Sequence, residues 1–265
     1  MSGELPPAGT ATGRKPRYRT WIRRSRLVVF AGLSVVCLVG AVLAFLSPWF
    51  LLFLLPLGLF GYITTILALT VYRFAPWGGD LQRRVHELIV AKAALPPGSK
   101  ALDVGCGSGS LAIKLAKAGS VVTGVDSWGQ DWEYSKDLCE DNARIEQVAD
   151  RTAFDNQSGA ALRFDDGSFD AVVSCLTFHE IADVERKTDG VAEALRVLRP
   201  GGRFVFVDLF GDPAFYPDGV LAAIDRAGAS VVESGSLAES LPLPFPLRHP
   251  KVLGHAMLVA GTKDS

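Results

Sequence analysis

The chain has 265 residues, 49% hydrophobic and 21% charged, with 27 basic and 28 acidic side chains for a net charge of −1. The charges are unevenly placed: seven basic residues between Arg14 and Arg26 face one acid, Glu4, and taking these from the totals leaves 20 basic against 27 acidic residues elsewhere. An acidic remainder lacks the basic footprint that a phosphate backbone demands, which argues against nucleic acid as a partner, and four scattered cysteines without C-x-x-C spacing argue against a zinc site or a disulfide frame.

In chain order, a basic arm (residues 1–26) is followed by Leu27 to Leu46, twenty residues without a charge, and Phe50 to Val71, twenty-two more. At about 1.5 Å rise per residue, either stretch reaches across the roughly 30 Å hydrocarbon core of a bilayer. Only Ser47-Pro48-Trp49 separates them, with proline to stop a helix and tryptophan suited to the interface, so residues 27–71 are expected to form a transmembrane helical hairpin. A signal peptide would have a shorter apolar core and a small-residue cleavage site, and core helices of a soluble protein would carry some charge. The basic arm keeps the N-terminus cytoplasmic beside anionic headgroups, and two crossings return the chain to that side of the cell membrane. Gly40, Gly58 and Gly61 are positions where the two helices could approach closely.

Residues 72–98 read as a linker and a leading helix. Phe74 to Gly79 is rich in aromatics and glycine, Asp80 is expected to cap the helix, Leu81, Val85, Leu88 and Ile89 share one face, and Pro96-Pro97-Gly98 stops it. From 99 to 265 the patterns alternate. Strands are expected near 100–105, 120–126, 151–155, 169–175, 203–209, 229–234 and 255–262, with helices in the first five gaps and a Pro-rich loop without a helix in the last. Such alternation specifies an α/β fold, a mostly parallel seven-stranded sheet with helices on both faces and ligands at the carboxyl ends of its strands.

The most informative run is Ala101-Leu102-Asp103-Val104-Gly105-Cys106-Gly107-Ser108-Gly109-Ser110, where a carboxylate near the end of an apolar strand precedes alternating glycines. Glycine tolerates φ > 0 and lets backbone come close to a ligand. Seventeen residues beyond Gly109, Asp126 ends a second apolar strand, where a carboxylate suits the two hydroxyls of a ribose. A dinucleotide turn would read G-x-G-x-x-G, whereas this one reads G-x-G-x-G with Asp103 where a pyrophosphate would be repelled; a cationic ligand fits better. The run resembles motif I of the class I S-adenosylmethionine-dependent methyltransferases. The resemblance extends to Phe164-Asp165-Asp166-Gly167-Ser168-Phe169-Asp170 and to Leu195-Arg196-Val197-Leu198-Arg199-Pro200-Gly201-Gly202-Arg203, and it covers roughly residues 80 to 262.

The resemblance implies a Rossmann-like fold closed by an antiparallel hairpin, with S-adenosylmethionine as cofactor. It places Asp103 near the methionine ammonium, Gly105, Cys106, Gly107 and Gly109 in the turn, Asp126 on the ribose, and Ser127 and Trp128 at the rim. The family's third strand usually delivers an acid near the adenine; here Asn156, Gln157, Ser158 and Gly159 stand around that position, and Ser158 is the expected contact. Ser174 ends the fourth strand, close to where the methyl should point, and His179, whose imidazole titrates near neutrality, is the candidate general base. An Asn-Pro-Pro-Tyr run typical of base-amine methyltransferases is absent there, which points to the small-molecule group that includes quinone and lipid methyltransferases. Trp128, Trp132 and Tyr134 form an aromatic cluster, Asp208 is expected to face the pocket, and Arg248, His249 and Lys251 could meet an anionic substrate or headgroup. The expectation is a methyltransferase acting on a small, in one form lipophilic, acceptor at the cytoplasmic membrane face. The alternative is a noncatalytic cofactor-binding or scaffolding membrane protein, and a nicotinamide-dependent reductase is disfavoured by Asp103 and the glycine spacing.

Overall fold

Side-chain alternation along the central strands sends apolar residues to both faces of the sheet, so both faces need cover. The computed structural model describes residues 14–129 and 134–264 and shows how that cover is supplied. Seven strands, β1 (Lys100–Val104), β2 (Val121–Asp126), β3 (Thr152–Asn156), β4 (Phe169–Cys175), β5 (Leu198–Asp208), β6 (Ala229–Ser236) and β7 (Met257–Lys263), form one sheet in the order β3-β2-β1-β4-β5-β7-β6. The first five pair in parallel, and β7 runs antiparallel between β5 and β6. One face carries Ala101, Val122, Val173, Val205 and Leu258 against helices α3 (Leu81–Ala93), α4 (Ser110–Lys117) and α5 (Lys136–Ile145). The other carries Leu102, Val104, Val172, Phe204 and Phe206 against α6 (Lys187–Arg196) and α7 (Val220–Arg226). Strand order reverses between β1 and β4, which opens a crevice at their carboxyl ends.

Two long helices precede this domain, α1 (Arg24–Val42) and α2 (Leu54–Phe74), joined through short 3-10 segments. The spans Ser25–Phe45 and Pro48–Phe74 are long and apolar enough to cross a membrane, and little of either is buried by protein. Ser34 and Thr64 hydroxyls lie 3.1 Å apart between the helices. Of the three glycines expected at a close approach only Gly40 makes one, with the Phe53 ring where a Cβ would stand; Gly58 and Gly61 face open space.

Three local expectations are corrected. Residues 157–168, between β3 and β4, hold turns rather than a helix. Their backbone is satisfied from α6 instead: the Arg196 guanidinium donates to the Leu162 and Phe164 carbonyls, each at 2.9 Å, and Glu193 accepts from the Leu162 amide at 2.7 Å. The loop before β7 contains two short helical turns, α8 (Leu237–Ser240), started by the Ser236 hydroxyl accepting from the Ala238 amide, and Pro250–Gly254. Asp80 precedes α3 but caps no amide; it sits at φ 51° and its carboxylate pairs with Arg83.

Candidate active site

Between β1 and α4 the chain turns through Gly105, Gly107 and Gly109 at φ of 76°, 55° and 78°, a region costly for side chains with a Cβ. At Gly105 the requirement is also steric, since a Cβ would stand 2.0 Å from the Thr177 hydroxyl. The Gly105 and Cys106 amides donate to the Val125 carbonyl at 2.8 and 3.0 Å, which ties the turn to β2. Asp126 then clamps it: one carboxylate oxygen accepts from the Gly107 amide at 2.9 Å, the other from the Trp128 amide at 2.8 Å, and the Trp128 indole donates to the Gly107 carbonyl at 2.9 Å. Each oxygen keeps a lone pair for a ligand hydroxyl.

Asp103 is 1% exposed, and its Oδ2 has no hydrogen-bond partner although the side chain lines the cleft. Burial pushes its pKa up to about 7, the Ala112 amide at the start of α4 opposes that, and the negative Asp126 adds to it. A buried carboxylate left with an orphan oxygen is costly alone and well matched to a cation. Burial and the neighbouring Cys139 likewise push the Cys106 thiol up, so it stays protonated and is no nucleophile.

The roof over this turn comes from residues 17–23, ahead of the hairpin and within the stretch expected to be only a basic arm. The fully buried Asn142 accepts from the Arg17 amide at 2.8 Å while its own amide donates to the Arg17 carbonyl at 3.3 Å and to the Ser108 carbonyl at 3.0 Å. Gln82 donates to the Arg19 carbonyl at 3.0 Å and the Tyr134 hydroxyl to the Thr20 carbonyl at 3.0 Å. Trp21 packs edge-on against Phe74 and against His86, whose Nδ1 lies 3.1 Å from the Ser110 hydroxyl. Burial, helped by the nearby Lys114, lowers the His86 pKa to about 3, so it is neutral. The available sign of this strap was its aromatic and β-branched run, Tyr18-Arg19-Thr20-Trp21-Ile22, inside the basic arm.

Beyond the turn, β4 ends and Phe178–Glu180 forms one 3-10 turn that presents His179 to the cleft. Its Nδ1 is 2.7 Å from Asp208 Oδ1, and its ring lies over Phe215 at 5.4 Å. Burial by itself would lower the imidazole pKa, but the Asp208 charge and hydrogen bond outweigh it and the net shift is upward. Asp208 does not face the cleft as expected: it is fully buried behind His179, with its other oxygen accepting from the Thr177 and Phe178 amides at 2.9 and 2.7 Å.

Other expected residues divide between lining and scaffolding. Gly105, Cys106, Gly107, Asp126, Ser127 and Ser158 line the same cleft as Asp103 and His179. Ser174 does not: it is fully buried and its hydroxyl donates to the Val104 carbonyl at 2.9 Å, bonding β4 to β1. Gly109 is also outside the cleft, packed against Phe154 and Cys139. Trp128 clamps the turn, Tyr134 lines the cleft, and Trp132 lies outside the described residues. His249 and Lys251 line the cleft; Arg248 does not.

The cleft, about 1470 Å³, runs from Asp103 past His179 to one stripe of α2, Tyr62, Ile63, Ile66, Leu67 and Thr70. Tyr62 and Thr70 are eight positions apart, about 12 Å along a helix.

Residues 102–206 match the family model described as a methyltransferase domain. The 27-O-demethylrifamycin SV methyltransferase of Amycolatopsis mediterranei is 33% identical over 160 residues, 59% of this chain and 56% of that protein. Demethylmenaquinone methyltransferase of Clavibacter sepedonicus is 32% identical over 116 residues, 44% of this chain and 43% of that protein. Among solved structures, geranyl diphosphate C-methyltransferase from Streptomyces coelicolor superposes with a TM-score of 0.54 at 17% identity, covering 70% of this chain and 81% of that one, a likeness of fold. The chain spans about half the length of the curated relatives it matches.

Proposed function

We propose that this chain, whose residues 102–206 form a methyltransferase domain of the class I S-adenosylmethionine-dependent fold, methylates a small lipophilic acceptor at the cytoplasmic face of a membrane in which α1 and α2 are its anchor. The observation that carries the reading is the continuity of one cleft from the orphan carboxylate of Asp103, past His179, to the apolar stripe of α2. The donor set fits a cationic nucleoside cofactor. Asp103 would hold the ammonium, the backbone of Gly105 to Gly107 would lie against the sulfonium end, Asp126 would take ribose hydroxyls with its remaining lone pairs, and Ser127 and Ser158 would border the adenine end. S-adenosylmethionine supplies an activated methyl group on a good leaving group, so the protein's work is chiefly to position, a contribution worth about 7 to 11 kcal/mol in well-oriented reactions.

His179 is the residue that would move a proton. With Nδ1 engaged by Asp208 and Nε2 lying 3.7 Å from Glu180 Oε1, a neutral ring would accept at Nε2 the proton that an acceptor hydroxyl or amine loses as it is alkylated. Asp208 fixes the ring's orientation and stabilises the imidazolium that results. Phe215, Leu209 and the α2 stripe give the cleft apolar lining, which suits an apolar acceptor body. Relatives named for demethylmenaquinone and 27-O-demethylrifamycin SV favour a small acceptor over a macromolecule.

The test uses the full chain in detergent or nanodiscs. S-adenosylmethionine should bind in a calorimeter, and label from its methyl group should appear in a lipid extract of membranes incubated with the enzyme. Undetectable binding overturns the cofactor assignment. Binding without transfer to either lipid or soluble extracts overturns the catalytic reading in favour of a scaffold, and transfer into the soluble extract alone overturns the lipophilic acceptor.

A further inference from the structure

Resting on the reading of His179 as the base, we infer that Arg23, where the strap meets α1, is a positioning residue that draws the Glu180 carboxylate away from His179 Nε2, so that the base is open to an acceptor only while the strap is closed. The carboxylate stands between the strap's guanidinium and the imidazole. Glu180 Oε1 lies 3.7 Å from His179 Nε2, beyond hydrogen-bond reach, while Oε2 lies 3.4 Å from Arg23 Nη2. Among the described residues these are its basic neighbours within 4.0 Å. An ion pair whose side chains are 23% and 45% exposed adds little to stability, so its consequence is where it holds the carboxylate. Arg23 is itself placed from both sides: it is the N-cap of α1, and two residues before it Trp21 packs on Phe74 and His86.

What a released Glu180 would do follows from the ring it adjoins. Nδ1 is already bound to Asp208 Oδ1 at 2.7 Å. A second carboxylate on Nε2 would hold the ring as a doubly paired imidazolium, with no lone pair left to take a proton from an acceptor. Burial lowers the ring's pKa, Asp208 from β5 and Glu180 from its own 3-10 turn raise it, and Lys187 from α6, whose ammonium donates to the Ile181 carbonyl, lowers it. Phe215 covers the ring without a charge, and the Tyr216 phenol beside Asp208 is pushed above its ordinary pKa by burial and by that carboxylate, so it stays neutral. Asp183 and Asp212 line the same cleft, but Asp208 and Glu180 are the acids within 4.0 Å of the ring nitrogens among the described residues. Of the groups that set the ring's charge, Glu180 is the one the strap holds. The same strap bonds to the glycine turn, where the Arg19 amide donates to the Ser108 hydroxyl at 3.4 Å. Closing the strap over a cofactor therefore clears the base in the same movement.

The test is an NMR titration of the histidine rings in the full chain in nanodiscs. The chain has four histidines, so His179→Gln identifies the signal by its loss, and unchanged His249 and His255 titrations certify the fold of each variant. Arg23→Gln should move the His179 midpoint up by about half a pH unit, as expected when a carboxylate comes onto the ring. Arg23→Lys should keep the original midpoint. Glu180→Gln should move it down, and the double variant Arg23→Gln with Glu180→Gln should titrate like Glu180→Gln alone. Asn142→Ala, which loosens the strap at its Arg17 end, should reproduce the upward shift, again only where Glu180 is present. An unmoved midpoint in Arg23→Gln overturns the positioning role. The same upward shift in the Glu180→Gln background overturns it too, because the Arg23 charge would then act on the ring directly. A shift in Arg23→Gln that Asn142→Ala fails to reproduce overturns the dependence on strap closure. The base reading is checked separately by kcat: undiminished kcat in His179→Gln overturns that reading, whatever the titrations show.

Discussion

Asp103 concentrates the energetic conflict of this site in one side chain. Its folded pKa near 7, against 3.8 for an ordinary aspartate, means that the free protein binds more protons here than the unfolded chain does between about pH 4 and 7. Stability without ligand should therefore fall as pH rises through that window. The Asp103→Asn variant should flatten this dependence and raise the melting temperature at pH 8 while abolishing cofactor binding, the exchange of stability for function expected of a strained site. In the unmodified protein a cationic cofactor needs the carboxylate ionised, so the cofactor Kd should be about tenfold weaker at pH 6 than at pH 8, as calorimetry at the two pH values would register. His179 controls a different parameter. His179→Gln should lower kcat by about a hundredfold or more with cofactor Kd within twofold. Asp208→Asn should move the kcat profile to lower pH, because the raised imidazole pKa depends on that carboxylate. The glycine spacing and the carboxylates at 103 and 126 were legible in the sequence, since each residue type answers a local need. The retirement of Ser174 and Gly109 from the ligand surface was not, because which side of a strand end faces the crevice depends on the neighbouring strand.

At the scale of elements, the strap of residues 17–23 is the principal addition. It is held by backbone carbonyls and amides, a kind of contact that leaves no pattern in side-chain order, and its anchor Asn142 looks in sequence like any polar position of a helix. Removing Asn142 strands buried polar groups on both the strap and the glycine turn, a loss of about 1–3 kcal/mol. Asn142→Ala should accordingly weaken cofactor binding about tenfold and speed tryptic cleavage at Arg17 and Arg19, whereas bound S-adenosylhomocysteine should slow that cleavage in the unmodified chain. Cleavage rates indifferent to ligand would detach the strap from the cofactor site. The expected helix between β3 and β4 failed for a related reason: Arg196 and Glu193 of α6 satisfy that backbone across the chain, so no local hydrogen-bond ladder was needed.

At the scale of the whole molecule, the hairpin and the domain are joined twice, once by the continuous helix α2 and once by the strap that precedes α1. Both connections lead to one side of the hairpin. If that side is the cytoplasmic one, as proposed, reporter domains that fluoresce only in the cytoplasm should be bright when fused at either terminus, and one dark fusion would break the proposed two-crossing topology. Sequence alone determined the alternation of strands and helices, the paired apolar spans, and the glycine turn between two carboxylates, because hydrophobic periodicity and backbone conformational limits act over a few neighbouring residues. Only the tertiary structure decided that Asp208 stands behind His179, that the strap roofs the turn, and that the cleft opens onto α2. Those arrangements arise where segments distant in the chain are brought together by burial of the sheet's two faces, and no short window of residues contains both partners.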